Sequence, residues 1–192
     1  MDILALKSLP RHPWKNGGGV STGIAGEPPG ASYDACLWRI DLSFIERAGP
    51  FSDLAGLDRI LTILAPGLSL TVDGATSTIA PFSPFAFSGD CVTTCALSDE
   101  ARPPLHAFNV LTRRGEAKAR VDIHPGSATV QPGSLATLLY VARGGFNVVE
   151  GKGRPTRLDS DHAALVRAGG EALAFEPFRP WSVAISVVVD GV

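Results

Sequence analysis

LTILAPGLSLTVDG (Leu61–Gly74) and LLYVARGGFNVVEG (Leu138–Gly151) are similar segments in the two halves of a 192-residue chain. They align without a gap when residue 61 is placed on residue 138, an offset of 77. Each segment predicts a strand, a glycine turn, a second strand and an Asp/Glu-Gly turn. Because two glycines and an acidic turn residue coincide, the match favours an internal duplication over the general likeness of β-meanders.

The rest of the chain also consists of short strand-like segments, punctuated by 21 glycines and 15 prolines. No apolar period of 3.6 residues is sustained. Further strands are expected at 20–24, 36–42, 107–111 and 182–189. A capping-box spacing at Ser43–Glu46 predicts one short helix, which Gly49-Pro50 would end. The predicted fold class is therefore all-β, with two jelly-roll or cupin-type barrels and little helix.

The duplication also predicts how the chain is divided. Residues 1–114 would form an N-terminal barrel with a ligand pocket, and residues 115–192 a C-terminal barrel that is mainly structural, with strands shared between them as an option. No flexible linker is expected, and the joint is predicted within residues 114–128.

Composition excludes several function classes. The formal net charge is −2, with 17 basic and 19 acidic residues, so there is no bulk electrostatic reason to expect nucleic acid or a membrane surface. The apolar runs are too short for a signal peptide or a membrane span. Three cysteines without an export signal indicate reduced thiols and a cytoplasmic protein.

Metal and cofactor signatures are missing from the sequence. Cys91 and Cys95 are spaced CxxxC without a second pair, and the four histidines include no H-x-H pair. First-row metals favour several histidines with a carboxylate on neighbouring strands. We therefore expect no bound metal and no cofactor.

The stretch PWKNGGGVSTG (Pro13–Gly23) has three interpretations. A phosphate loop needs its lysine after the glycines and a helix beyond, whereas Lys15 precedes them. The G-x-S-x-G match needs a strand-to-helix elbow that nothing here predicts. The remaining interpretation is a tight bend that directs Lys15 and Asn16 and leaves amides free as an anion-binding nest. Trp14 favours a packed bend over a bare turn.

Polar residues interrupt three otherwise apolar strands. In LWRIDLS, alternation places Trp38 on one face and Arg39 with Asp41 on the other. Arg59 begins a strand after a glycine- and proline-broken loop. Asn109 lies inside HAFNVLTRRG, and its amide must be hydrogen-bonded if it is buried. For each residue taken alone, a structural or solvated role is the default.

These blocks, together with GPFSDLAGLDRILTIL and FAFSGD, resemble the HutD/Ves family, closely over residues 13–114 and by repeat architecture alone beyond. The resemblance implies a cupin-superfamily bicupin, cytoplasmic and tied to histidine utilisation. The implied ligand is N-formylglutamate, bound so as to limit flux or induction, and the family has no established catalytic activity. The implied pocket-lining residues are Lys15, Asn16, Trp38, Arg39, Phe51, Ser52, Arg59, Phe85, Asn109 and Thr112.

Three hypotheses remain open from sequence. The first is a metal-independent protein that binds a small acidic metabolite, with arginine forks recognising carboxylates and no catalytic residue. The second is an isomerase or hydrolase that uses Asp41, Asp53 or Asp58 as acid and base. The third is a protein–protein module, such as a homodimer that uses edge strands of the second barrel, in which the apolar SVAISVVV would need a partner strand or internal cover.

Overall fold

The computed structural model describes residues 1–14 and 16–192, and the predicted role of Lys15 lies outside the described residues. The described chain is built almost entirely from strands, with one 3-10 helix at Leu6–Ser8. The strands are β1 (Asp2–Ala5), β2 (Arg11–Pro13), β3 (Gly19–Glu27), β4 (Trp38–Ile45), β5 (Gly49–Pro50), β6 (Leu57–Ile63), β7 (Leu68–Val72), β8 (Ala75–Ile79), β9 (Phe85–Ser88), β10 (Thr93–Leu97), β11 (Leu105–Arg113), β12 (Ala117–His124), β13 (Ala128–Val130), β14 (Ala136–Arg143), β15 (Gly145–Glu150), β16 (Thr156–Asp159), β17 (His162–Arg167), β18 (Leu173–Pro177) and β19 (Val183–Gly191).

The chain divides into two compact units. The N-terminal unit is Leu9–Glu116, and the C-terminal unit combines Met1–Ser8 with Ala117–Val192. The division after residue 116 lies two residues beyond the boundary expected from sequence. The first eight residues belong with the C-terminal unit because β1 pairs antiparallel with β17.

The N-terminal unit is formed by two antiparallel sheets. Their strand orders are β2-β3-β4-β11-β6-β9 and β5-β10-β7-β8. Alternate residues of the strands point inward and form one apolar cluster. Its fully buried members include Ile45, Ile63 and Leu68, with Trp14 and Phe51 packed against it.

The C-terminal unit repeats this topology. Its sheets run β12-β19-β14-β17-β1 and β13-β18-β15-β16. Every strand from β4 to β11 therefore has a counterpart eight strands later, and the pairings among these strands are the same in both units. The pairing of β3 with β4 and that of β1 with β17 have no counterpart. The predicted duplication into two barrels is confirmed in the strand order.

The register of the duplication differs from the ungapped sequence alignment. The matching inward-facing core residues are Leu61, Ile63, Leu68 and Leu70 in one unit and Leu139, Val141, Phe146 and Val148 in the other. Each pair is separated by 78 residues, so the predicted offset of 77 is wrong by one. Backbone hydrogen bonds support the offset of 78 between Ile63 and Val141. The amide of Phe82 donates to Ile63 O (2.8 Å), and the amide of Asp161 donates to Val141 O (3.1 Å). The difference between the offsets 77 and 78 matters because a shift of one residue would assign the buried side chains of a strand to its opposite face.

The predicted helix at Ser43–Glu46 is wrong. Ser43 and Ile45 belong to β4, where both side chains are buried on the inner face. The Ser43 hydroxyl is hydrogen-bonded to Ser21 of β3 (2.9 Å) instead of capping a helix. Cross-strand pairing and burial of alternate residues thus outweigh a local capping signal. Among the described residues, no helix has the length and apolar character needed to cross a membrane.

Candidate ligand-binding site

The inner face of the N-terminal barrel carries a polar layer. Because Ile45 faces the core, alternation places Arg39, Asp41 and Ser43 on the same inner face of β4. Asn109 of β11 pairs with Asp41 on one side and Leu61 on the other. Arg59 lies one row further along, where the backbone of Leu111 separates it from Arg39. The sheet thus places two arginines, a carboxylate and an amide in adjacent rows inside one barrel.

Arg39 is neutralised within this layer. Its Nε donates to both carboxylate oxygens of Asp41 (2.8 and 3.0 Å), and Nη1 donates to Ala31 O (2.8 Å). The Tyr33 hydroxyl donates to Asp41 Oδ2 (3.1 Å). Burial raises the pKa of Asp41 against the lowering effect of Arg39, and burial together with Asp41 raises the pKa of Tyr33 to about 12. Glycine at position 23 leaves space for the ion pair of Arg39 and Asp41, because a Cβ on that residue would lie only 2.8 Å from Arg39 Nη2.

Arg59 is the unpaired cation of the layer. Its side chain is 6% exposed, and its Nε has no hydrogen-bond partner among the described residues. The guanidinium carbon lies 5.2 Å from the ring centre of Phe51 and 4.8 Å from that of Phe87. Burial lowers the pKa of Arg59 to about 10, so the group stays protonated at neutral pH. A buried cation without a counter-ion is costly, and an anion would relieve that cost.

Asn109 supplies a second unsatisfied group. It is 5% exposed, and within the described part of the chain its Oδ1 has no hydrogen-bond partner. Buried side-chain carbonyl oxygens normally accept at least one hydrogen bond. The barrel therefore presents one cationic donor and one acceptor to its interior. Their natural complement is a small molecule that carries a carboxylate and an N–H or O–H donor.

The glycine-rich bend is closed by its own hydrogen bonds. Trp14 N donates to Gly19 O (2.9 Å), and Gly17 N donates to Trp14 O (3.0 Å). Gly18 N donates to Asn16 Oδ1 (2.9 Å). The amides of Gly17 and Gly18 are thus occupied, and the interpretation of the bend as an anion-binding nest is wrong for them. Gly17 has a φ of 67°, and a Cβ on Gly19 would clash with the carbonyl of Phe44, so both positions favour glycine.

The bend is also tied to the barrel. Asn16 Nδ2 donates to Pro50 O (2.7 Å), and Trp14 Nε1 donates to the Ser21 hydroxyl (2.7 Å). The ring of Trp14 meets that of Phe51 edge-on, with centres 6.1 Å apart. The bend is therefore packed, as the position of Trp14 predicts.

The structure brings together only part of the predicted pocket. Arg39, Phe51, Arg59, Phe85 and Asn109 lie in or beside the polar layer, with the rings of Phe85 and Phe87 5.9 Å apart.

The other predicted residues lie elsewhere. Trp38 and Thr112 pair with each other on the opposite face of the sheet, Ser52 is exposed, and Asn16 uses its amide within the bend. Of the carboxylates considered as an acid or base, Asp53 is exposed and Asp58 accepts from Arg114 (2.8 Å) outside the barrel.

Tyr33 and Phe87 are site residues that the sequence reasoning missed, and Asp41 was considered only as an acid–base group. Alternation in FAFS and in LWRIDLS was sufficient to place Phe87 beside Phe85 and Asp41 beside Arg39. No local sequence pattern identifies Tyr33 as a site residue, because its contact with Asp41 depends on the path of the connection between β3 and β4.

The C-terminal barrel repeats one pair of this layer at an exposed position, with side chains that are 66% exposed for Arg120 and 43% exposed for Asp122. Arg120 Nε donates to Asp122 (2.8 Å), and Asp122 faces Ser186 as Asp41 faces Asn109. The sequence indicated no such polar pair in the second barrel. Thr137 occupies the position that corresponds to Arg59, so the unpaired cation is absent from that position.

The interior of the C-terminal barrel is also filled. His124 stands where the N-terminal barrel has Ser43, and Phe175 stands where it has Cys95. The two rings meet edge-on with centres 5.1 Å apart, and His124 Nε2 is hydrogen-bonded to Ser186 Oγ (2.8 Å). Small side chains in one barrel thus correspond to aromatic rings in the other. Over the described residues, no cluster of three or more His, Cys, Asp or Glu side chains could hold a metal ion.

Fold and site define the class of the protein: a two-barrel cupin-fold protein with a buried polar layer in its N-terminal barrel. The fold matches a cupin 2 conserved barrel domain protein from Leptotrichia buccalis, with a TM-score of 0.62 and 11% identity over 98% of this chain and 96% of that one. It matches HutD from Pseudomonas fluorescens SBW25 with a TM-score of 0.83 and 24% identity over 100% and 98% of the two chains.

The HutD family profile matches residues 6–177. An uncharacterized 21.2 kDa protein in the hutC 3′ region of Pseudomonas putida is 35% identical over 144 residues, which is 74% of each chain. The chain therefore belongs to the HutD family.

Proposed function

We propose that this protein has a HutD-type role in histidine utilisation, as a cytoplasmic, metal-independent protein that binds a small acidic metabolite such as N-formylglutamate. Binding would sense or buffer that metabolite and so modulate the pathway. Family membership supports the pathway. The pocket of the N-terminal barrel supports the chemistry of the ligand.

The observation that carries the proposal is the buried, unpaired Arg59 beside an unsatisfied Asn109. Arg39 is the weaker candidate for the carboxylate receptor, because Asp41 already compensates its charge and accepts from its Nε through both carboxylate oxygens. Arg59 has no such partner in the described chain, and its fork can bind a carboxylate through two hydrogen bonds. An N-acyl amino acid then offers its amide N–H to Asn109 Oδ1. Phe51 and Phe87 provide apolar walls for the carbon chain, as expected for a small-molecule site.

Thermal unfolding of the chelator-treated protein tests the proposal. N-formyl-L-glutamate at about a hundred times its dissociation constant should add about 2.7 kcal/mol of stability. At roughly 2–4 °C per kcal/mol, this is a rise in Tm of about 5–11 °C. Glutamate lacks the acylated nitrogen and urocanate lacks the amide, so both should give smaller shifts.

Two variants make the test specific to the pocket. Asn109→Ala should weaken the shift, whereas Thr112→Val, on the opposite face of the sheet, should leave it unchanged. An equal response to all three compounds, or a shift that survives the loss of Asn109 intact, would contradict the proposed site.

A further inference from the structure

A cavity of about 120 Å³ lies beside the polar layer of the N-terminal barrel. Phe51 belongs to both, because one ring lines the cavity and also lies 5.2 Å from the guanidinium carbon of Arg59. Trp14 and Cys95 form further apolar walls. Cys95 is a small residue of this lining, and the matching position of the C-terminal barrel holds Phe175.

Of the described residues that line this cavity, Arg47 is the charged one. It lies two residues after the end of β4, and its side chain is exposed. Its Nη2 donates to Gly17 O (2.5 Å), which fixes the direction of the guanidinium. Among the residues that the structure describes, no carboxylate forms an ion pair with Arg47, so its remaining donors are available to a ligand.

Charge balance shows why a second cation matters. Within the polar layer Arg39 and Asp41 cancel, and Arg59 leaves a single net positive charge. One carboxylate satisfies that charge. A second carboxylate on the same ligand needs another cation, and the cavity that shares Phe51 with Arg59 leads to Arg47.

We infer that Arg47 is a specificity-determining residue that receives the second carboxylate of a dicarboxylate ligand at the rim of the pocket. This inference rests on the proposed function. Arg59 holds the first carboxylate in the barrel, and the carbon chain passes Phe51. The pocket then selects N-acyl amino dicarboxylates over isosteric monocarboxylates. Because the Arg47 side chain is exposed, its contribution falls as salt is added.

A thermodynamic cycle between protein and ligand tests this inference. Dissociation constants are measured calorimetrically at low ionic strength for N-formyl-L-glutamate and its two isosteric monoamides, N-formyl-L-glutamine and N-formyl-L-isoglutamine. The proteins are the wild type, Arg47→Gln and Arg102→Gln. The last is a matched control, because Arg102 is an exposed arginine of the same unit that donates only to backbone carbonyls of its own loop.

The wild type should bind N-formyl-L-glutamate about three- to tenfold more tightly than the monoamide that lacks the rim carboxylate. Arg47→Gln should abolish that preference, Arg102→Gln should keep it, and Arg47→Lys should restore part of it. A preference that Arg47→Gln leaves unchanged overturns the role of Arg47 while the proposed function stands. If the wild type binds none of the three compounds, the proposed function fails and this inference fails with it.

Discussion

Replacing Arg59 with methionine should stabilise the unliganded protein and abolish ligand binding. Burial lowers the pKa of Arg59 to about 10, and this lowering corresponds to roughly 3 kcal/mol of unfavourable free energy for the charged form in the fold. Methionine removes that cost but also the contacts of the cation with Phe51 and Phe87, worth about 1–2 kcal/mol together. The net gain is about 1–2 kcal/mol, or a Tm about 2–8 °C higher.

Urea and thermal unfolding of Arg59→Met, each with and without N-formyl-L-glutamate, provide the assay. The unliganded variant should unfold at a higher urea concentration than the wild type, and the ligand should no longer shift either transition. Arg102→Met, an exposed charge removed from the same unit, should change stability by less than about 0.5 kcal/mol. A variant less stable than the wild type without ligand would show that Arg59 holds the fold together, and the reasoning from its burial would be refuted.

Three further changes test the surroundings of the site and the second barrel. Gly23→Ala should cost about 1–2 kcal/mol in urea unfolding, because the added Cβ would lie 2.8 Å from Arg39 Nη2. Asp41→Asn should cost about 3 kcal/mol or more by the same measurement, because it leaves Arg39 without its counter-ion. Burial lowers the pKa of His124 below 6.5, so the folded state favours the neutral ring that is bonded to Ser186. The neutral ring therefore stabilises the fold above pH 6.5, and this stabilisation is lost as the pH falls below 6.5. His124→Gln should reduce the pH dependence of the urea-unfolding free energy between pH 7 and 5.

Matched controls separate these effects from general damage. Gly126→Ala adds a Cβ where no atom lies within 4 Å, so it should leave stability nearly unchanged. Asp53→Asn removes an exposed carboxylate and should cost less than about 0.5 kcal/mol. Equal losses for test and control variants would contradict the assignments.

Turn chemistry and alternation were sufficient to predict most of the fold. Gly67 and Gly144 mark the strand connections in the two copies, and both have a positive φ as the turns require. The same turns gave the wrong register, because glycines define where a chain reverses but not which face a neighbouring strand buries. The buried sets that begin with Leu61 and Leu139 define the faces. The helix predicted at Ser43 failed for a related reason, since a capping signal is local and the pairing with Ser21 is not.

The site was less predictable than the fold. Arg39, Arg59 and Asn109 could be selected because each is polar in an apolar strand, and all three face the barrel. What sequence could not show is that Asp41 neutralises Arg39 and leaves Arg59 alone, since this depends on distances between side chains on different strands. Trp38 and Thr112 were carried over from family blocks, which identify recurring residues without distinguishing the two faces of a strand.

The repeated strand order also bears on how such a pocket can arise. One copy fills its interior with the rings of His124 and Phe175 and holds no unpaired cation at the position of Arg59. The other copy keeps Ser43 and Cys95 at the same places and tolerates a buried charge. Gene duplication allows selection for stability to act on one copy while selection for recognition acts on the other, because destabilising features are retained only where a protein stays above its stability threshold. The two halves of the chain therefore use one topology in two ways: one barrel is packed with aromatic rings, and the other combines small side chains with a buried charge.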